Sequence, residues 1–529
     1  MDETIKKLNI RGVDIAKWLL LLNIFLTLSY FILITFILPR GNIYLFTALI
    51  FGEVFHIWQS FTYIITIWNR PKDVLFKDNF KEYVDVFITV AGEPVEIVQK
   101  TVAACKHIDY ENFQIYILND GLVANKENWR DVEQLAKKMN VKCITRTIPG
   151  GAKAGNINNA LRQTSSSYVA VFDADHVPRK DFLKKTMGYF GDSKMGFVQS
   201  PQYYKNHQSN EITKGSWEQQ SLFFNPICRG KSHFNSAFMC GTNMVISRHA
   251  LVQAGGMCED NIAEDFLTSL FIHSKGWKSI YVPEILAEGL APEDFNSYYK
   301  QQLRWARGSL EIVFRHNPFL KKGLSLMQRI QYFASASYYL SGTIVLINAF
   351  MPVIFLFFGI QPLQISTMTL ATLFLPYIAI NLYTLQLSHD LSYTFRAVSF
   401  SFSSFGIYNK ALISLLLGKK ATFTVTSKTK ESGNFLYLVS PHISYILLTF
   451  IGLYLAIYRE GFSASVVSNL SWSIFNIVLF LPFISAATPE FNFSLKRRTK
   501  ENLENIKSIP VTVKPIFQRN SIINLFNEK

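Results

Sequence analysis

The sequence predicts an α/β domain inserted between two groups of membrane-spanning helices, and three observations predict it. The 529-residue chain is 49% hydrophobic, with 45 phenylalanines and a mean hydropathy of +0.15, which is apolar for a soluble protein of this length. Long apolar runs flank residues 69–325, which hold most of the charge and contain no span. Inside that stretch short β-rich runs alternate with helical ones, the pattern of a mostly parallel sheet.

Taken in order, Lys6, Lys7 and Arg11 precede an apolar run from about Val13 to Leu38. The run is too long for a signal-peptide core, and Pro39-Arg40-Gly41-Asn42 is no small-residue cleavage site, so it reads as a retained helix. Spans are expected at about 15–38 and 43–67. Glu53 and His56 share one face of the second. In lipid such groups face a bundle interior, either as a mutually satisfied structural pair or as the lining of a polar conduit. Val84 to Val90 reads as a strand, Glu96 to Lys106 as a helix and Phe113 to Leu118 as a strand ending at Asn119-Asp120-Gly121. Tyr168 to Phe172 is a further strand, ending at Asp173. Asp120 and Asp173 thus fall at carboxyl ends of strands, where open α/β sheets bind ligands.

Four more spans are expected at about 333–358, 365–388, 435–458 and 465–487, with an amphipathic interfacial helix over Leu391 to Leu417. The domains expected are two spans within 1–70, an α/β domain at 71–325 ending in an interfacial helix, four spans with an interfacial helix and a loop at 419–430 within 326–490, and a basic tail at 491–529. Six spans put both ends on one side. Lys6, Lys7, Arg11, Lys496, Arg497, Arg498, Lys500 and the basic residues between Lys410 and Lys430 mark that side as cytoplasmic. The formal net charge of +15 is accounted for in this way, and nucleic acid is not expected as a partner. The cysteines (Cys105, Cys143, Cys228, Cys240, Cys258) are odd in number and form no Cys-x-x-Cys pair, against a disulfide framework or a zinc site.

Several motifs carry chemistry. Asp173-Ala174-Asp175 lies at a strand end before His176-Val177-Pro178. Surface turns often contain such a triplet, but two carboxylates held at a turn also share a divalent cation, which neutralises a nucleotide diphosphate. Glu264-Asp265 opens an amphipathic helix from Phe266 to Gly276. It is either an ordinary helix cap or a site in which Asp265 is a general base for a sugar hydroxyl. Gln301-x-x-Arg304-Trp305 sits on a helix with Tyr298, Tyr299 and Arg307. Arg304 suits a leaving diphosphate and Trp305 a sugar ring, and both also suit a helix at the headgroup level. Gly150 to Asn156 matches no P-loop spacing and, by itself, reads as a solvated turn.

In this order the motifs resemble the processive family-2 glycosyltransferases, most closely the branch of the bacterial cellulose synthase catalytic subunit. Lys153-Ala154-Gly155-Asn156, Phe238 to Asn243, His273 to Trp277 and Phe423-x-Val425-Thr426-x-Lys428 add to the likeness, which covers about residues 15–487. The resemblance implies a cytosolic GT-A-type domain within a membrane domain of about six helices, in the inner or plasma membrane. It implies polymerisation of glucose from UDP-glucose into a β-glucan, cellulose-like or curdlan-like, with translocation of the product. By this resemblance Thr89, Ala91 and Glu93 contact the uridine and Asp120 the base or ribose. Lys153 and Asp173 meet the diphosphate, and Asp175 the Mg²⁺ or Mn²⁺ with Asp173 and His176. Asp265 is the base, with Glu264, Gln301, Arg304 and Trp305 on the substrate, and Thr426 and Lys428 close over the nucleotide. Asn119 and Ala263 depart from the family's Asp-Asp-Gly and Thr-Glu-Asp, which bears on the sugar more than on the reaction. The partners implied are a UDP-sugar, a growing polysaccharide, the bilayer and accessory export proteins. Cyclic diguanylate binding is not expected, because the stretch after Thr488 is short for a PilZ domain. A chitin- or hyaluronan-like synthase using UDP-N-acetylglucosamine, single transfer to a lipid carrier, and a permease with a nucleotide-binding regulatory domain are the other readings.

Overall fold

The computed structural model describes residues 5–10, 13–68, 72–389, 394–419, 431 and 433–488. At its centre is a seven-stranded sheet: β1 (Val84–Val90), β2 (Phe113–Asn119), β3 (Lys142–Thr145), β4 (Tyr168–Asp173), β5 (Met195–Gln199), β6 (Met244–Ser247) and β7 (Lys278–Tyr281). The strand order is β7-β5-β6-β4-β1-β2-β3. β1 pairs parallel with β2 and β4, β2 with β3, and β7 with β5, whereas β6 runs antiparallel to both neighbours. The expected mostly parallel sheet is therefore present with one reversed strand. A four-residue buried run such as Met244-Val245-Ile246-Ser247 carries no periodicity that would reveal its direction.

All seven residues of β1 are buried, as a central strand covered on both faces requires. Val86, Ile88 and Val90 join one core with Val98, Val102 and Ile117. Phe87 joins the other with Leu118, Val171 and Met244. Asp85 breaks the apolar run, and its carboxylate is met by Arg248 Nη2 (2.8 Å), Ser166 N (3.1 Å) and Ser166 Oγ (2.7 Å). These bonds satisfy a charge that would otherwise be costly inside the sheet.

Among the described residues six helices are long and apolar enough to cross a membrane: Lys17–Ile37, Ile43–Ile67, Leu326–Phe358, Met368–Ser388, Leu436–Glu460 and Ala464–Ala487. The third starts seven residues before its expected position of 333, because Ser325 and Gln328 form a capping box ahead of the apolar run. Side chains cross-link the first, second and fourth spans, as Asn23 Nδ2 to Thr384 Oγ1 (2.9 Å) and Ser60 Oγ to Asn381 Oδ1 (2.9 Å). Glu53 is buried with its Oε2 3.8 Å from His56 Nδ1, within ion-pair distance but too far for a hydrogen bond.

The single interfacial helix expected over Leu391 to Leu417 is two helices, Phe395–Ser403 and Phe405–Leu416. They meet at Ser404, whose Oγ donates back to Phe400 O (2.7 Å), a bond that bends helices. Arg396 pairs with Glu211 (2.8 Å) and Glu218 (3.0 Å) on the Glu211–Leu222 helix of the α/β domain. The Cys228–His233 helix lies against the end of the second span, where a Cβ on Gly230 would stand 2.1 Å from Thr66 O. Gly230→Ala is expected to cost about 1–3 kcal/mol through overpacking. Thermal unfolding of the detergent-solubilised variant checks this, and an unchanged midpoint would contradict so close an approach.

Candidate active site

Strand pairing sets the site. Thr89 and Asp173 are register partners on β1 and β4, and Thr89 Oγ1 donates to Asp173 Oδ1 (3.2 Å). β2 ends at Asn119, which is fully buried. Its Nδ2 donates to Trp129 O (2.8 Å) while its Oδ1 accepts from Gly121 N (3.0 Å). An ionised Asp has no donor for Trp129 O, which accounts physically for Asn at this position. The turn then presents Asp120, gripped by Arg146 Nε (2.8 Å) and Nη2 (2.6 Å). Arg146 also donates to Ala152 O (3.1 Å), so one guanidinium ties the end of β2 to the glycine loop.

That loop is solvated as far as Gly150, as the residues alone suggest, and turns inward from Gly151. Gly150 (φ +133°) and Gly151 (φ +62°) take backbone conformations that favour glycine, and a Cβ on Gly151 would collide with Glu259. The Ala152–Leu161 helix follows and puts Lys153 in its first turn. Lys153 Nζ donates to Gly241 O (2.7 Å) and contacts Asp173 Oδ1. Burial works against the Lys153 charge, but Asp173, Glu264 and Asp265 hold its pKa above the usual lysine value. Burial likewise raises Asp173, and Lys153 and His176 outweigh it and keep the carboxyl below its ordinary range.

Asp265 lies in the first turn of the Glu264–Ser274 helix, with Oδ1 accepting from Phe266 N (2.7 Å). The helix starts at Glu264 itself, two residues before the expected Phe266, behind Ala263 and without a side-chain capping bond. Gly241 (φ +82°) passes close by, and a Cβ there would stand 3.1 Å from Asp265 Oδ2. The Gly241 loop is held by Gln199, whose Oε1 accepts from Cys240 N and whose Nε2 donates to Thr242 O (both 2.8 Å). Burial raises the Asp265 carboxyl, and burial and the adjacent Asp265 charge raise Glu264; Lys153 and Arg304 pull both down. A pair poised in this way suits proton transfer.

Potential ligand atoms of Asp173, Asp175 and His176 lie within 4.8 Å of one another. Neither nitrogen of the buried His176 ring has a hydrogen-bond partner, Nδ1 standing 3.5 Å from Asp175 Oδ1, and a cation on one of them would relieve part of that cost. Carboxylate oxygens with one imidazole fit Mn²⁺ or Mg²⁺.

The Phe295–Arg315 helix closes the site. Asp294 caps it, Oδ1 accepting from Ser297 N (2.8 Å). It approaches the Glu264–Ser274 helix at Gly308, where a Cβ would be 2.7 Å from Ala263. That contact leaves little room for a side chain larger than alanine at 263. Gln301 Oε1 is buried and unpaired. One cavity of about 350 Å³ is lined by Thr89, Ala91, Glu93, Asp120, Lys153, Asp173, Asp175, His176, Glu264, Asp265, Gln301, Arg304 and Trp305. Thus every site residue expected from sequence that the structure describes faces one space; Thr426 and Lys428 lie outside the described residues. Their described flanks are bonded to the Phe295–Arg315 helix, Arg307 Nη2 donating to Lys419 O (3.0 Å) and Asn296 Nδ2 to Glu431 Oε2 (2.8 Å).

A second cavity of about 280 Å³ shares Asp265, Trp305, Ala263, Gln202 and Cys240 with the first and extends to Gln59 and Thr66 of the second span and Gln331 of the third. Sequence reading missed Arg146 and Gln202, and noted Cys240 only within the Phe238 to Asn243 motif. Only the place of Arg146 at the end of a short strand before the glycine loop was available as a signal. Arg146→Met is expected to cost about 3–5 kcal/mol, because it strands a buried carboxylate. Adding Asp120→Asn should recover part of that loss, so chemical unfolding of the double variant tests the pair; purely additive losses would contradict it.

Residues 82–308 match the family model described as glycosyltransferase like family 2, and residues 253–485 match that of cellulose synthase. The cellulose synthase catalytic subunit [UDP-forming] of Pseudomonas fluorescens (strain SBW25) is 28% identical over 471 residues, 85% of this chain and 62% of that protein. The corresponding subunit of Xanthomonas axonopodis pv. citri (strain 306) is 33% identical over 320 residues, 58% of this chain and 42% of that protein. The chain therefore spans less than two thirds of the length of these relatives. A solved mannosyltransferase from Pyrobaculum calidifontis, in complex with GDP-Man and Mn²⁺, aligns with 76% of this chain and 100% of its own at 16% identity and a TM-score of 0.48. The two family matches overlap, each over less than half of the chain, and together they run from the first sheet strand to the last span, so the chain is similar to the family-2 glycosyltransferases and to the cellulose synthases.

Proposed function

We propose that this protein polymerises glucose from UDP-glucose into a β-glucan with inversion, and passes the product between its membrane helices. The observation that carries this reading is the meeting of two cavities at Asp265 and Trp305, one lined by acids and Lys153, the other reaching the second and third spans. A donor on one side and an acceptor chain on the other would face the same carboxylate.

Asp265 takes the proton from the hydroxyl at the non-reducing end of the acceptor. The hydroxyl oxygen attacks the anomeric carbon from the face opposite the diphosphate, the carbon–oxygen bond to the diphosphate breaks, and UDP leaves with that electron pair. Lys153 and Arg304 face the departing charge, and Trp305 offers its ring to the acceptor sugar. Asp173, Asp175 and His176 would hold Mg²⁺ or Mn²⁺, which when bound offsets diphosphate charge. Thr89, Ala91, Glu93 and Asp120 border the nucleoside end, and Gln301 and Glu264 the sugar. The catalytic domain and both ends face the cytoplasm in this reading, supported by the basic residues beside the spans. Thr426 and Lys428 would close over the nucleotide, and accessory proteins would receive the polymer beyond the membrane.

Asp265→Asn is nearly isosteric and leaves the diphosphate contacts in place. UDP affinity should be retained while turnover falls by about two orders of magnitude or more. Radiolabelled UDP-glucose and UDP-N-acetylglucosamine, followed by linkage-specific glycanases, identify the product. Near-normal synthesis by the Asn variant would remove Asp265 from the mechanism, and a product made only from the N-acetylated donor would replace glucan by a chitin-like polymer. Chelation should abolish synthesis and Mg²⁺ or Mn²⁺ restore it; full activity in excess EDTA would contradict the cation site.

A further inference from the structure

Lys231 is a buried amine for which the reaction has no use. It lies on the Cys228–His233 helix with 2% of its surface exposed, and forms no ion pair with a carboxylate among the described residues. Its Nζ donates to Gln331 O (2.7 Å) and Gln331 Oε1 (3.0 Å). Gln331 is on the third span, and its Oε1 also accepts from Thr66 Oγ1 of the second (3.0 Å). Burial pushes Lys231 down to about 7, with Cys228 the neighbouring titratable group that opposes this. Stability alone is served better by an apolar residue of similar volume at such a position.

Lys231 also lines the second cavity, in which it and Asp265 are the charged residues among those described. Asp265 stands where that cavity joins the donor cavity, whereas Lys231, Thr66 and Gln331 form its wall at the ends of the spans. Gln331 uses two N–H groups of the amine. An ammonium retains a third donor, and a neutral amine retains a lone pair. A sugar hydroxyl both donates and accepts, so it satisfies either state.

We propose that Lys231, with Thr66 and Gln331, binds a hydroxyl of a sugar unit that has already passed Asp265, and so fixes how far the acceptor polymer has advanced. The proposal rests on the functional reading above, since it needs a polymer in this cavity. Losing the contact lets the chain end drift from Asp265, and water then competes for the activated sugar.

The test uses the purified full chain and whichever of UDP-glucose and UDP-N-acetylglucosamine it polymerises. Polymer formation is compared with release of free sugar to water, and product length is measured. Lys231→Met keeps the apolar stem and removes the polar head. UDP affinity and donor KM should stay within about twofold, while the ratio of polymer to free sugar falls about tenfold and products shorten. Lys231→Arg, which retains a donor, should recover part of that ratio. If Lys231→Met fails to bind UDP, Lys231→Gln keeps a donor toward Gln331 with shorter reach, and carries the same expectation. An unchanged ratio and product length, or a proportional fall of both reactions, would reduce Lys231 to a tie between spans and domain and overturn the proposal alone. No polymer from the unaltered chain would overturn the functional reading and this proposal with it.

Discussion

The site depends on how a cluster of crowded carboxylates shares one ammonium. Asp173, Asp175, Glu264 and Asp265 come from a strand end and a helix start and face one cavity. Such a cluster repels itself and is penalised by burial. Lys153 is the counter-charge. Its Nζ bonds to Gly241 O and touches Asp173, and its field acts on Glu264 and Asp265 as well. The glycine loop exists in its observed shape because Lys153 must enter from the first turn of a helix. Gly241 must be glycine because its backbone passes between that ammonium and Asp265.

The remaining architecture holds this arrangement against the membrane. Arg146 couples Asp120 to the glycine loop, and Gln199 holds the Gly241 loop from β5. The close approach of Gly308 to Ala263 holds the helix that brings Arg304 and Trp305 into the cavity lined by Asp265. On the other side Gly230 lets the α/β domain lie against the end of the second span, and Lys231 bonds to the third. Small residues at two contacts thus govern the distance between the acid cluster and the helices.

Much of this was legible in the sequence because it depends on short-range pattern. The strands at Val84–Val90 and Phe113–Asn119 and the helix at Val95–Lys106 follow from uninterrupted or periodic apolar runs. The acids at strand ends follow from topology, and the six spans from length and hydropathy. The reversed direction of β6 was hidden in a run too short to show a period. The break at Ser404 arises from a side-chain bond to the preceding turn, which composition does not encode. Arg146 and Lys231 escaped for a different reason: each acquires its meaning from a partner 26 or 100 residues away. A solvated charge is the ordinary reading of either residue in isolation.

The central claim is that Asp265 stands between a nucleotide in one cavity and a polymer in the other. Cryo-electron microscopy of the full chain, purified after synthesis in the presence of UDP and Mn²⁺, tests it most directly. The account predicts nucleotide density beside Lys153 and Asp173, and a sugar chain running past Trp305 toward Gln331, with its terminal hydroxyl about 2.6–3.2 Å from the Asp265 carboxylate. A nucleotide in the acid-lined cavity with the chain bound elsewhere, or a chain end out of reach of Asp265, would contradict it.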